Sequence, residues 1–251
     1  MPQQPPPAET NEQRIALLVI ASHILENEKV LDSFGHVSVR SATNPNRFFM
    51  PRAMAPALVS AADIVELDLD CKPVDPTAPR TNGERFIHGE VYKARPDVNS
   101  VIHSHSIGVI PFGVAGVPLR PVLVQAGFLP PETPLFEARD AQPGKKERGI
   151  MVRTPEMGAY LAQKLGGCPV ILMRGHGNTV VGDSVKRATV RAVYTEINAQ
   201  VQLQAMRLGG EINPMDEVEL AYNTVENFDV ERPWDNFKRK LDEARHAMRG
   251  R

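Results

Sequence analysis

In His103-Ser104-His105 two imidazoles lie one residue apart, at the end of the apolar run Val98-Asn99-Ser100-Val101-Ile102. Residues i and i+2 of a β-strand point the same way, so a strand here aims both rings at one place. A third ring, His176 in Arg174-Gly175-His176-Gly177, follows another buried-looking strand, Val170-Ile171-Leu172-Met173. Neutral imidazole is the commonest protein ligand for divalent transition metals, and three protein ligands leave a position open for water or substrate. The pattern predicts an open divalent-metal site on His103, His105 and His176, with Gly175 and Gly177 allowing the backbone an unusual turn and close approach. Zn, Mn, Fe and Co all suit such a donor set. Glu84, in Asn82-Gly83-Glu84-Arg85-Phe86-Ile87-His88, opens a helix. A carboxylate there is either a solvated partner of the helix dipole or, beside a metal, a fourth ligand or general acid/base. The residues alone leave that choice open, and they place His88 as a packing residue of the same helix.

These groups need elements to carry them. Thr10-Asn11-Glu12-Gln13 has the spacing of a capping box, and Ile15, Leu18, Val19, Ser22 and Leu25 recur at helical spacing, predicting a helix that ends before Val30. Gly35-His36-Val37-Ser38-Val39-Arg40 alternates with period 2 and reads as a strand, paired antiparallel with Arg47-Phe48-Phe49-Met50 across Asn44-Pro45-Asn46. Ser60-Ala61-Ala62-Asp63 repeats the capping pattern before the strand-like Ile64-Val65-Glu66-Leu67. A helix over 84–94, the histidine strand over 98–106, a loop-rich stretch over 127–149 and a proline-started helix from Thr154 to Gly166-Gly167 follow. A strand over 169–173, a long amphipathic helix over 184–208 and a partly helical tail from Pro214 complete the chain, with the single tryptophan, Trp234, in the tail. Helices and strands alternate with no repeat or linker. The expected architecture is a single three-layer α/β/α domain over 10–251 with a central mainly antiparallel or mixed sheet, behind a disordered Pro-rich leader at 1–9.

Composition narrows the partners. The chain has 251 residues, and 29 basic against 30 acidic residues leave a net charge of −1. No charge surplus is available for nucleic acid or an anionic membrane. No apolar run approaches the ~18 residues of a membrane span, and the first residues lack the pattern of a signal peptide. Two cysteines, Cys71 and Cys168, without CxxC spacing, suit a reducing cytoplasm.

Together the motifs resemble the class II aldolase/adducin family over about residues 10 to 230. They are Gly35-His36-Val37-Ser38-Val39-Arg40, Glu84 with His88-Gly89-Glu90-Val91-Tyr92, Ala94-Arg95-Pro96-Asp97-Val98, Val101-Ile102-His103-Ser104-His105-Ser106 and Arg174-Gly175-His176-Gly177. The resemblance implies a class II aldolase-like α/β/α fold and a homotetramer with interfacial active sites. It also implies one divalent metal ion per subunit on His103, His105 and His176, and Glu84 as an acid/base that can also touch the metal. The sugar-phosphate members carry an asparagine after the first glycine and a Thr-Pro-Ser-Gly-type loop for phosphate. Here those positions hold His36 and Met50-Pro51-Arg52-Ala53-Met54-Ala55-Pro56. A phosphate cradle relies on clustered N–H and hydroxyl donors in a glycine-permitted turn. Arg52 suits a planar carboxylate instead, unless it pairs with Asp63 or Glu66. The changes look like the branch that decarboxylates hydroxylated aromatic or pyridine carboxylic acids, with His36, Ser38, Arg52 and Arg85 as substrate contacts. On that reading a metal-held oxygen takes up the negative charge as CO2 departs, and Glu84, kept protonated by burial, returns a proton to the ring. The alternatives are an aldolase or epimerase acting on a small sugar, a sugar phosphate or a hydroxy-ketoacid, and an adducin-like scaffold, which has no need of the three histidines and Glu84.

Overall fold

A computed structural model describes residues 9–146, 148–222 and 229–249, with side chains to residue 247. Apart from Glu9, the leader expected at 1–9 lies outside the described residues. Helix α1 (Asn11–Asn27) begins with the expected capping box between Thr10 and Gln13. Strands β1 (His36–Arg40), β2 (Arg47–Pro51) and β3 (Ile64–Asp68) form an antiparallel meander, the last entered through a short 3-10 turn capped by Ser60 and Asp63. Helix α2 (Arg85–Ala94) has Glu84 at its N-cap, and β4 (Ser100–Ser104) follows. Then come α3 (Ile110–Ala115), β5 (Leu135–Phe136), α4 (Pro155–Leu165), β6 (Val170–Met173), β7 (Gly177–Gly182) and α5 (Val185–Arg207). Helices α6 (Glu217–Tyr222) and α7 (Glu231–Arg249) form the tail.

The strands make one seven-stranded sheet in the order β3-β2-β1-β4-β7-β6-β5, antiparallel except for β5 against β6. Strand alternation sorts its side chains into two layers. Val37, Val39, Ile102 and Val180 pack under α1, α5 and α7, where Trp234 is buried, while Phe48, Val101, Ile171 and Val181 pack under α2 and α4. The same alternation sends His36, Ser38 and His103 toward the α2 side. The expected α/β sandwich around a mostly antiparallel sheet is therefore the one observed. Among the described residues, no helix is long and apolar enough to cross a membrane, and both cysteines are unpaired.

Four details differ from the sequence reading. The histidine strand stops at Ser104, opposite Asn178, so His105 lies in the turn beyond it. Strand β7, which carries the pairing of β4, follows His176 where no strand is expected, and α3 is likewise unanticipated. The loop-rich stretch 127–149 contributes the two-residue edge strand β5.

Candidate metal centre

Strand β4 delivers His103 from the sheet, the turn after it delivers His105, the β6–β7 turn delivers His176, and the N-cap of α2 delivers Glu84. One ligand atom from each lies within 4.8 Å of all the others. Glu84 Oε2 is 3.4 Å from His176 Nε2 and 3.7 Å from His103 Nε2, and the three imidazole centroids are 4.8 to 5.1 Å apart. Close approach of the two turns depends on Gly177, where a Cβ would stand 1.9 Å from the Ser104 carbonyl oxygen.

Orientation follows from hydrogen bonding. His103 Nδ1 is 3.1 Å from the Asn178 carbonyl, which can only accept, so the ring proton sits on Nδ1 and the Nε2 lone pair faces the cluster. His105 Nδ1 is 3.7 Å from Asp32 Oδ1. Among the described residues, His103 Nε2 and His105 Nε2 are buried without a hydrogen-bond partner. Buried polar atoms are normally satisfied, so two orphaned nitrogens converging beside a carboxylate fit a divalent cation. Burial pushes His103 down to about 3 and lowers His105, keeping both rings in the neutral form that a metal requires.

Glu84 is 4% exposed. Burial alone would raise its pKa, but the His176 hydrogen bond and the facing His103, His176 and His36 outweigh that and hold it at about 2. The Val152 N–H, 2.9 Å from Oε1, adds a donor to the charged form. The carboxylate is thus ionised at neutral pH, the reverse of the protonated acid expected from burial.

The cluster opens into a cavity of about 700 Å3 lined in part by Phe34, His36, Met54, Arg80, Glu84, Arg85, Phe86, His105 and Arg153. Of the expected substrate contacts, His36 is in this wall. Its Nδ1 is 2.6 Å from His88 Nε2; His88 Nδ1 is 2.6 Å from Ser38 Oγ, and Ser38 Oγ is 2.7 Å from the Tyr92 hydroxyl. Ser38 is accordingly fully buried behind His36 rather than at the cavity. Arg52 donates through Nε to Asp63 at 2.8 Å, the pairing that competes with substrate binding in the sequence reading, and it is not in the cavity wall. Arg85 lines the cavity, but its Nε and Nη1 donate to the Cys71 and Asn82 carbonyls. Arg174 is held by Glu137 and Arg120 by Glu132. Glu196 is buried and accepts the Gly108 N–H, tying α5 to the turn that follows His105.

The sequence reading missed Val152, Arg80 and Arg153. Val152 acts through its backbone, which leaves no mark on residue type, and the two arginines stand in loops without periodicity.

Residues 16–203 match the model of the class II aldolase and adducin N-terminal domain. The chain is 38% identical over 204 residues to the decarboxylase tropJ of Talaromyces stipitatus, covering 77% of each chain. It is 30% identical over 214 residues to the 3,4-dihydroxyphthalate decarboxylase of Arthrobacter keyseri, covering 81% of this chain and 83% of that one. Among solved structures, the L-fuculose 1-phosphate aldolase of Glaciozyma antarctica shares the fold, with a TM-score of 0.74 and 24% identity over 97% of this chain and 94% of the other.

Proposed function

The chain belongs to the class II aldolase/adducin family, and from that premise we propose that it is a metal-dependent decarboxylase of a hydroxylated aromatic or pyridine carboxylic acid. The observation that carries this reading is the convergence of His103, His105, His176 and Glu84, with His105 and Glu84 in the wall of a cavity large enough for a substituted ring. The decarboxylases among the relatives support the reaction class.

His103, His105 and His176 would hold the divalent ion, with Glu84 beside it. The ion supplies Lewis acidity to a substrate oxygen, where the negative charge released by C–C cleavage is delocalised. Phe34, Met54 and Phe86 offer the ring an apolar wall. Glu84, ionised beforehand, takes the proton of the ring hydroxyl at Oε2 as substrate seats. The carboxylate leaves as CO2, its bonding pair passes into the ring, and Oε2 returns the proton to the vacated ring carbon. The His36 ring, held through Nδ1 by His88, faces the same space in a fixed orientation.

The homotetramer implied by the family belongs to the same proposal. Phe34 and Ile107, 68% and 80% exposed, lie on the two segments that border His105, and a neighbouring subunit would cover such apolar groups. Light scattering of the purified chain is expected to give a tetramer, and a monodisperse monomer would remove the interfacial site.

The decisive experiment is CO2 release from hydroxylated benzene- and pyridine-carboxylates by metal-stripped protein reconstituted separately with Mn and Zn. Metal-dependent release is expected. Retro-aldol cleavage of a sugar phosphate or hydroxy-ketoacid with no CO2 would transfer the chain to the aldolase side of the family.

A further inference from the structure

Behind the cavity wall, four polar side chains form an unbroken buried row. His36 and Ser38 share one face of β1, and His88 and Tyr92 lie one turn apart on α2. Strand and helix therefore interleave them in the order His36, His88, Ser38, Tyr92, each within 2.6 to 2.7 Å of the next. Counting protons gives the row a direction. The Tyr92 hydroxyl receives a backbone hydrogen bond from Val101, and the side-chain acceptor for its own proton is Ser38 Oγ. Ser38 then has one proton to place, on His88 Nδ1 at 2.6 Å or on the Val101 carbonyl at 3.5 Å. The second distance is at the limit of a hydrogen bond, so the ring nitrogen takes it. His88 Nδ1 is thus a lone pair, and the His88 proton sits on Nε2 and goes to His36 Nδ1. His36 is left with its proton on Nε2. That nitrogen has no hydrogen-bond partner among the described residues, and His36 lines the cavity.

We infer that Tyr92, Ser38 and His88 lock His36 in the tautomer with its proton on Nε2, and that this N–H donates to the substrate oxygen on which negative charge gathers. The proton count stands on the hydrogen bonds alone; the identity of the oxygen, a ring hydroxyl ionised by Glu84, rests on the decarboxylation reading. The His36 ring is 5.3 Å from that of His103, yet His36 is not one of the four clustered ligand residues. A protonated nitrogen has no lone pair for a metal, and it cannot take the proton of a ring hydroxyl, which leaves that task to Glu84. The opposite tautomer would point a lone pair at the ionised oxygen and repel it. As the bonding pair enters the ring, the oxygen becomes more negative and the bond from His36 strengthens, so it contributes more in the transition state than before it. The donor is oriented in advance by buried partners and needs no rearrangement at that step. His36 touches the substrate; the other three are positioning residues that act through it.

The test reads the ring protons directly. In the metal-free full-length chain carrying nitrogen-15 histidine, long-range proton–nitrogen correlations distinguish protonated from bare ring nitrogens, and the His36 signals are those lost in His36→Gln. At neutral pH, His36 should show a protonated Nε2 and a bare Nδ1. In Ser38→Ala, where His88 loses its donor, the two tautomers of His36 should mix. A proton on Nδ1 in the parent, or an unmixed parental pattern in Ser38→Ala, would overturn the inference. Binding is then measured on the zinc-loaded chain with 4-nitrocatechol, which has ring hydroxyls and no carboxylate to lose. His36→Leu should weaken it about tenfold at unchanged zinc content. His36→Gln, whose amide accepts from His88 and donates to the ring oxygen, should stay within about threefold of the parent. Parental affinity in His36→Leu would remove the donor role. CO2 release is scored separately. The expected tautomer and binding without CO2 release sink decarboxylation and keep the donor, whereas CO2 release with His36 protonated on Nδ1 does the reverse.

Discussion

In the proposed reaction Glu84 carries the proton, and its neighbours rather than its burial decide its charge state. A carboxyl 4% exposed should be hard to ionise, yet His176 and the Val152 N–H face it and the pKa falls to about 2. In the proposed reaction the group therefore starts as a base and becomes an acid only after taking a substrate proton. Glu84→Gln keeps the shape and the hydrogen bond from Val152 but cannot carry that proton. Turnover should fall by about 10²–10⁴-fold, while metal content by elemental analysis stays near that of the parent. Unchanged turnover would remove Glu84 from proton transfer, and loss of the metal would make it a ligand first. His103→Ala should instead lose the metal and the activity together, since His103 Nε2 is an orphaned, oriented lone pair.

At the scale of elements, the site depends on how closely the turn after β4 and the β6–β7 turn approach each other. Gly177 makes that approach possible: a methyl there would lie 1.9 Å from the Ser104 carbonyl oxygen and 3.1 Å from the His105 Cα. Since backbone cannot swing aside as a side chain can, Gly177→Ala should cost about 1–3 kcal/mol by urea unfolding. It should also weaken metal binding by displacing His105 and His176, and a variant with parental stability and affinity would show that the turns have slack. The helices with capping signals at Thr10 and Thr154, and the strands with alternation at 36–40 and 100–104, were legible because local physics and tertiary packing agree there. Strand β7 was not: Gly177-Asn178-Thr179 looks like loop, and only pairing with both β4 and β6 makes it the fifth strand in the sheet order. The histidines were legible for the same reason that the arginines were not. Metal ligands must converge on one point, which leaves a spacing, whereas Arg80 and Arg153 reach a cavity that exists only once loops from different parts of the chain meet.

The whole molecule carries its site at an energetic cost that appears in acid. His88, fully buried between His36 and Ser38, is held by burial at about 3, and His103 is likewise at about 3, against about 6.5 when unfolded. Above pH 6.5 these rings are neutral in both states and leave stability unaffected. Below it the unfolded chain takes up protons that the folded chain refuses, so stability falls by up to about 1.4 kcal/mol per pH unit for each ring until the folded pKa is approached. Glu84 acts later: its lowered pKa contributes stability above about 4.5, which is lost as the pH falls toward 2. Urea unfolding of chelator-treated protein should therefore show stability declining from about pH 6.5 downward, before any carboxylate protonates. His88→Gln offers hydrogen-bonding groups to His36 and Ser38 but does not titrate. It should be less stable than the parent at pH 7.5 yet have a shallower slope between pH 6.5 and 4.5, by about one ring's share. Parallel slopes would mean that His88 is protonated in the fold, and the neutral chain from His36 to Tyr92 would have to be redrawn. With metal restored, stability should rise wherever the metal stays bound, because the metal binds the folded state.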